Sequence, residues 1–215
     1  MIINKRKHTV LATMIALGFG ISPAASAQTA GFYAEGGIGV RAASTKVTIT
    51  DPPDSLSLDA GKSTMLGSLG LGWRWESGNS VLGTGVFGNL AGKNAGQIDV
   101  SVGGVAATAK LEQKGHWGIG VEAGWKLAPT TTLYGKLAWH RAKFRASVDG
   151  DSISNNHTGV GLGVGLRHMF AKNSYVFAEW QQVNFNDKTR DIGGGATVKI
   201  DPRNTIGLVG VGWNF

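Results

Sequence analysis

The chain contains no cysteine, so neither a disulfide framework nor a thiolate metal site can contribute to its fold or its chemistry. Charged residues make up only 16%, too few for a disordered chain and few for a water-soluble surface. Past the N-terminal segment no apolar run approaches the roughly 18 residues of a spanning helix, which excludes a helical membrane protein. Glycine, by contrast, is abundant at 34 residues, yet it follows no Gly-X-Y period, which excludes collagen. At 215 residues the length suits one domain or at most two.

The N-terminus reads as a cleavable secretory signal. Lys5, Arg6 and Lys7 form a basic region, Val10 to Ile21 an apolar stretch, and Ala25-Ser26-Ala27 a small-residue cleavage site. The expected division is therefore residues 1–27 as signal peptide and 28–215 as one domain. Cleavage removes three positive charges, from a formal +7 to +4, so the precursor's basicity overstates that of the working protein. Nucleic acid is not an expected partner in the compartment beyond.

The rest of the chain alternates with period two, the signature of half-buried strands. Eight such segments run Gly31 to Ala42, Met65 to Glu76, Ser80 to Leu90, Lys114 to Leu127, Thr131 to Phe144, Thr158 to Phe170, Tyr175 to Phe185 and Asn204 to Phe215. Each has enough residues to cross an apolar band of about 25 Å when tilted. Short turns at Ser77 to Asn79, Ala128 to Thr130 and Ala171 to Ser174 alternate with long polar links. Those links are Ala43 to Thr64, Ala91 to Gln113, Arg145 to His157 and Asn186 to Arg203. An even count, with short turns on one side and long links on the other, predicts an all-β fold: an eight-stranded antiparallel transmembrane up-and-down β-barrel.

The two faces sort cleanly. All seven tryptophans (Trp73, Trp75, Trp117, Trp125, Trp139, Trp180 and Trp213) fall on the apolar face, as a membrane girdle requires. The ionisable Glu35, Arg41, Arg74, Glu122, Lys126, Lys136, Arg167 and Glu179 fall on the other. A soluble β-sandwich could share the alternation, but its charged face would meet water and its apolar face a core. In a barrel, Glu35, Glu122 and Glu179 are expected to pair with Arg74, Lys126, Lys136 and Arg167 in a lumen charge network, because an unpaired buried charge is costly. The competing reading is a narrow ion path, since many inward glycines leave space unfilled.

Two stretches carry a family likeness. Gly118-Ile-Gly-Val-Glu-Ala-Gly-Trp-Lys-Leu-Ala-Pro-Thr-Thr-Thr-Leu-Tyr-Gly-Lys-Leu-Ala-Trp139 and Gly161-Leu-Gly-Val-Gly-Leu-Arg-His-Met-Phe170, with Tyr175-Val-Phe-Ala-Glu-Trp-Gln-Gln-Val-Asn-Phe185, resemble the small outer-membrane β-barrel family. That group includes OmpA membrane domains, opacity-type proteins and OmpX/Ail-like proteins. The resemblance implies a Gram-negative cell outer membrane, with outer-membrane lipid, lipopolysaccharide and the barrel-assembly machinery as partners. It also implies that Val209, Val211, Trp213 and Phe215 form the family's C-terminal assembly signal. Glu179-Trp180 matches the family's acid and aromatic in the seventh strand, whereas Gln181 replaces the basic residue that usually follows. No peptidoglycan-binding segment follows the barrel, so a cell-wall tether is not expected.

Catalytic motifs are weak. Gly118-Ile-Gly-Val-Glu-Ala-Gly124 has the wrong spacing for a dinucleotide loop and no helix after it. His116 and His140 face inward near the outer half and could pair, without a nucleophilic serine beside either. Asp151, Ser152 and His157 share one link. No catalytic residue, metal site or cofactor is therefore expected. Val100 to Lys110 alternates around Gly103-Gly104, a hairpin signal that predicts a ribbon extending the wall, with Gly193-Gly194-Gly195 offering the same and Asp51-Pro-Pro-Asp54 breaking the first link. Arg141, Lys143 and Arg145, at the outer end of the fifth stave, are candidates for lipopolysaccharide phosphates. The expected role is structural and surface-interacting, adhesin-like, through the outer links to a surface or host ligand of unknown identity. A narrow porin-like channel is the first alternative and a lipid A-modifying enzyme the second.

Overall fold

A computed structural model describes residues 30–215 apart from 52–53, 92–93, 103–104, 149–150 and 194–195. The signal segment, the two prolines of the first link and Gly103, Gly104, Gly194 and Gly195 thus lie outside the described residues. Ten strands are present among those described: β1 (Gly31–Asp51), β2 (Asp54–Ser77), β3 (Ser80–Ala91), β4 (Asn94–Val102), β5 (Val105–Ala128), β6 (Thr131–Val148), β7 (Asp151–Met169), β8 (Ser174–Phe185), β9 (Lys188–Gly193) and β10 (Ala196–Asn214). Every neighbouring pair is antiparallel, and β1 closes on β10 with Ile38 opposite Val209. Eight staves, β1, β2, β3, β5, β6, β7, β8 and β10, make the cylinder. Closure removes the free edges that a flat sheet would leave inside lipid.

The exposed side is the apolar one, which decides against a sandwich. Val121 is 53% exposed while Glu122, next to it, is 8% exposed. The same inversion runs along each stave. Leu69, Leu71, Trp73 and Trp75 of β2 point out, and Arg74 between the two tryptophans is buried. Hydrocarbon suits the outer face, while polar groups collect on the inner one.

The staves run further than the apolar alternation does. β1 was expected to end at Ala42 and β2 to begin at Met65, yet their ladder continues to Asp51 opposite Asp54. The ladder thus reaches both residues that flank the two undescribed prolines. Beyond the membrane both faces meet water, so ladder hydrogen bonds, and not one-sided burial, define the strand there. With 21 residues, β1 rises roughly 70 Å along its axis, or about 50 Å once tilted, twice the apolar band of about 25 Å. The ribbon expected around Gly103-Gly104 is present as β4 on β5, with Val102 opposite Val105. Gly193 pairs with Ala196 in the corresponding β9–β10 ribbon.

This crown is not a continuation of the cylinder. β3 leaves β2 after Ala91 pairs with Leu66, and β8 leaves β7 after Phe185 pairs with Gly159. Above those points the ladders group as β2-β1-β10-β9 on one side and β4-β5-β6-β7 on the other. β2 and β4 touch without pairing, and no ladder joins β7 to β9 among the described residues.

Two glycines have a conformational role. Gly78 (φ 58°) turns the chain between Ser77 and Ser80, which pair. Gly115 (φ 63°) lies at a bulge in β5, where Lys114 pairs with Lys143 and His116 with Ala142. A bulge adds one residue to one strand and shifts its alternation. In consequence Gln113, three residues before His116 and out of step with it in strict alternation, is also buried. The Lys114 side chain lies outside the described ones.

Candidate functional site

The lumen is layered, and the inner layer is built around Arg74 of β2. Its Nε donates to Glu122 Oε1 at 2.6 Å, Nη2 to Glu35 Oε2 at 3.1 Å and Nη1 to Tyr175 Oη at 2.8 Å. Arg167 Nη2 donates to both oxygens of Glu122, at 3.1 and 3.0 Å. The guanidinium faces are covered by rings: Arg74 Cζ lies 3.4 Å from the Tyr33 centroid and Arg167 Cζ 4.6 Å from that of Tyr134. Two arginines and two glutamates from β1, β2, β5 and β7 thus form one buried cluster that ties together non-adjacent staves.

A second pair lies beside it. Lys136 Nζ donates to Glu179 Oε1 at 3.1 Å, and Tyr134 Oη donates to Glu179 Oε2 at 3.0 Å. Gln181 Nε2 also donates to Glu179, so the neutral residue standing at the usual basic position still supplies a hydrogen to this carboxylate. Lys126 departs from expectation: it pairs with Glu76 and not with Glu35, Glu122 or Glu179. Both residues sit at the rim of the short turns, several residues below the cluster. Alternation placed Lys126 on the inner face but carried no information about height.

Further out, Asn89 Nδ2 donates to His116 Nδ1 at 2.9 Å, and His116 Nε2 meets His140 Nδ1 at 2.9 Å, with the rings stacked 5.0 Å apart. With both rings neutral, the amide hydrogen on Nδ1 leaves the His116 proton on Nε2, which then donates to His140. The two histidines expected to pair are therefore joined. Asp151, Ser152 and His157 are not: all three lie on β7, with Asp151 six residues along the strand, about 20 Å, from His157. A hydrolytic triad cannot form from them. Among the described residues no group of three or more His, Asp or Glu is placed to hold a metal.

Several inward glycines are covered. Side chains from neighbouring staves lie flat over them: Tyr33 over Gly72 and Gly85, Phe87 over Gly118, Tyr134 over Gly165, Tyr175 over Gly212 and Phe177 over Gly210. A void bordered by Tyr33, Glu35, Phe87, Glu122 and Lys136 measures about 10 Å³, at the lower limit for a single water. In the inner half of the lumen, aromatic rings thus occupy part of what the glycines give up.

All seven tryptophans are exposed, between 41% and 56%. Trp73, Trp75, Trp125 and Trp213 lie toward the short turns, while Trp117 and Trp139 pack edge to face at 5.4 Å toward the crown. Trp180 differs from the girdle expectation: opposite Val164 and Gly207, it lies between the two belts. Just past the outer pair, Arg141 stands opposite Trp117 and is exposed, as is Lys143. Arg145 is half-buried. At the other end, Phe215 N donates to Phe32 O at 2.8 Å and the two rings lie 5.6 Å apart. Val209, Val211, Trp213 and Phe215 all face outward.

A family model described as the outer membrane protein beta-barrel domain matches residues 11–215. The chain belongs to that family. Among curated proteins none matches this outer membrane beta-barrel chain. Solved structures do. The outer membrane protease OmpT from Escherichia coli aligns with a TM-score of 0.52 at 11% identity, covering 86% of this chain and 96% of its own. OprG, an outer membrane protein from Pseudomonas aeruginosa, aligns at 0.50 and 15% identity, covering 88% and 98%. Ail, the attachment invasion locus protein of Yersinia pestis, aligns at 0.42 and 13%, covering 84% and 99%. At these identities the likeness establishes the fold alone, an outer-membrane barrel.

Proposed function

We propose that this outer-membrane barrel is a non-conducting, non-catalytic scaffold whose crown is its working surface. One observation carries the reading: the inner lumen is filled by rings and ion pairs, while the wall rises about twice as high as the bilayer's apolar band requires. A channel needs an open lumen. The crown offers polar exposed side chains, Ser44, Lys46, Ser55, Ser57, Lys62 and Ser63 on the β1–β2 ribbon among them. A surface of that kind suits a polar or charged partner outside the cell. The adhesin-like reading and the export of residues 28–215 after cleavage of the leader both belong to this proposal. Single-channel recording on purified protein in planar bilayers tests it. Flat traces are expected, and reproducible unitary steps would replace the scaffold reading with the channel.

Arg141 and Lys143 support a lipopolysaccharide contact, because they stand directly past the Trp117–Trp139 pair, where headgroup phosphates lie. Replacing Arg141, Lys143 and Arg145 together with glutamine should reduce copurified lipopolysaccharide. Unchanged copurification would remove this contact from the proposal.

A further inference from the structure

The outer layer of the lumen contains a cation with no ion-pair partner among the described residues. Arg41 of β1 is 1% exposed, and among the described residues no acceptor lies within hydrogen-bond distance of its Nε, Nη1 or Nη2. Guanidinium does not deprotonate in proteins, so the charge cannot be shed. The two other fully buried arginines, Arg74 and Arg167, both hold carboxylates. Among the described residues, the buried polar groups on the outer half of the staves include the neutral Asn89, Gln113, His116, His140 and Asn204. The buried apolar residues of this end include Leu66, Ala142, Val183, Phe185 and Ile206.

The surplus in this layer is of donors. Gln113 Oε1 accepts from Asn204 Nδ2 at 3.3 Å, while Gln113 Nε2 is buried with no acceptor. Asn204 is opposite Ala43, and Arg41 is opposite Ile206, so this amide pair crosses the lumen one pleat further out than Arg41. On the inner side Arg41 couples electrostatically to His116, the head of the histidine chain. A permanent positive fork is thus held between an amide bar and a pair of imidazoles, in surroundings where an isolated charge is strongly disfavoured.

We infer that the outer layer of the lumen is a binding site for a small oxyanion, with Arg41 as its fork and Gln113 Nε2 as an additional donor. Planar bidentate donors match the oxygen edge of a phosphate, sulfate or carboxylate group, whereas a spherical halide uses the fork poorly. A cation is repelled by Arg41. A bulky lipid headgroup is kept out by the closed wall, which leaves small free anions as the class. The site is separate from the crown surface proposed above and does not depend on it.

Protein purified from outer membranes in detergent can be tested with inorganic phosphate as the probe, using sulfate and chloride at matched ionic strength for comparison. Phosphate should broaden saturably in ³¹P NMR. At a concentration about 100-fold over Kd it should shift the unfolding equilibrium by about 100-fold. Arg41→Met should abolish both effects and, without phosphate, be no less stable than the parent. Should that variant fail to assemble, Arg41→Lys keeps the charge without the fork and should bind about tenfold or more weakly, the equivalent of one charged hydrogen bond. Arg203→Gln, at an exposed arginine paired with Asp201, should leave phosphate binding intact. Three outcomes would each overturn the assignment: no saturable phosphate response, an equal response in the Arg41 variants, or chloride matching phosphate.

Discussion

Glu122 is the residue whose loss should reveal how the lumen is held together. Its Oε1 accepts from Arg74 and Arg167, and its Oε2 accepts from Arg167. In Glu122→Gln the side chain keeps its volume and loses its charge. Arg74 retains Glu35 at 3.1 Å, but among the described residues Arg167 retains no carboxylate. One guanidinium is then left buried without a counter-charge, which costs about 3–5 kcal/mol, or about two to four decades in the unfolding equilibrium. Urea titration of protein in lipid vesicles, followed by tryptophan fluorescence, measures it directly, because the seven tryptophans face lipid when folded. Removing both partners is the stricter test. Glu122→Gln with Arg167→Met should recover much of the loss, since a neutral pair strands no charge. Glu35→Gln should cost less than Glu122→Gln, because Arg74 keeps Glu122 and Glu35 is the more exposed acid, at 15% against 8%. A Glu122→Gln loss below about 1 kcal/mol, or strict additivity in the double variant, would refute a cluster whose charges depend on one another.

Gly212→Ala should destabilise the barrel by displacing the Tyr175 ring from its hydrogen bonds to Arg74 and Glu35, whereas Gly207→Ala, with nothing within 4 Å of the added carbon, should be nearly neutral; thermal unfolding of the two variants makes the comparison. Deleting Phe215 should lower the yield of inserted barrel more than any ribbon-tip change, scored as the heat-modifiable band on unboiled gels; an unchanged yield would separate its lipid contact from an assembly role. In the crown, Lys199 holds the Asp187 carboxyl below the usual carboxylate range by a side-chain hydrogen bond and by its charge, and Asp187 raises Lys199 in the same way. The pair should therefore be intact at neutral pH, lost on acidification only below the ordinary aspartate value of about 4, and lost on alkalinisation only above the ordinary lysine value of about 10.4. A carboxyl NMR titration of Asp187 in the Lys199→Gln variant should return its midpoint toward the ordinary value.

Alternation was enough to read the cylinder from the sequence, because lipid outside and packed polar groups inside impose a strict two-residue code. The tryptophans are exposed and the lumen residues Arg41, Arg74, Glu122, Arg167 and Glu179 are buried, as alternation places them, whereas Glu76 at the rim is exposed. What alternation cannot carry is height and partner. Lys126 and Glu122 are both inward on β5, yet one belongs to the rim and the other to the central cluster. Trp180 looked like a girdle residue for the same reason. The crown strands were illegible outside their glycine turns, since water on both faces removes the code. The bulge at Gly115 put Gln113 out of step with alternation, and the ring-over-glycine packing of the lumen involves residues tens of positions apart. Arg41 was legible as inward, but that it lacks a hydrogen-bond partner among the described residues emerged only once the other staves were placed around it.

The division of the crown into two four-stranded sheets has a mechanical consequence. Within the bilayer any change of cross-section must break a ladder, so the cylinder acts as a stiff socket. Above it, no ladder joins the sheets β2-β1-β10-β9 and β4-β5-β6-β7 among the described residues, so they can swing as two paddles with β2 passing close to β4. A load applied to one paddle bends it about its root near Leu66 or Gly159, where the shared ladders end. The strain is thereby absorbed outside the membrane, and the ion pairs of the lumen remain in register beneath it.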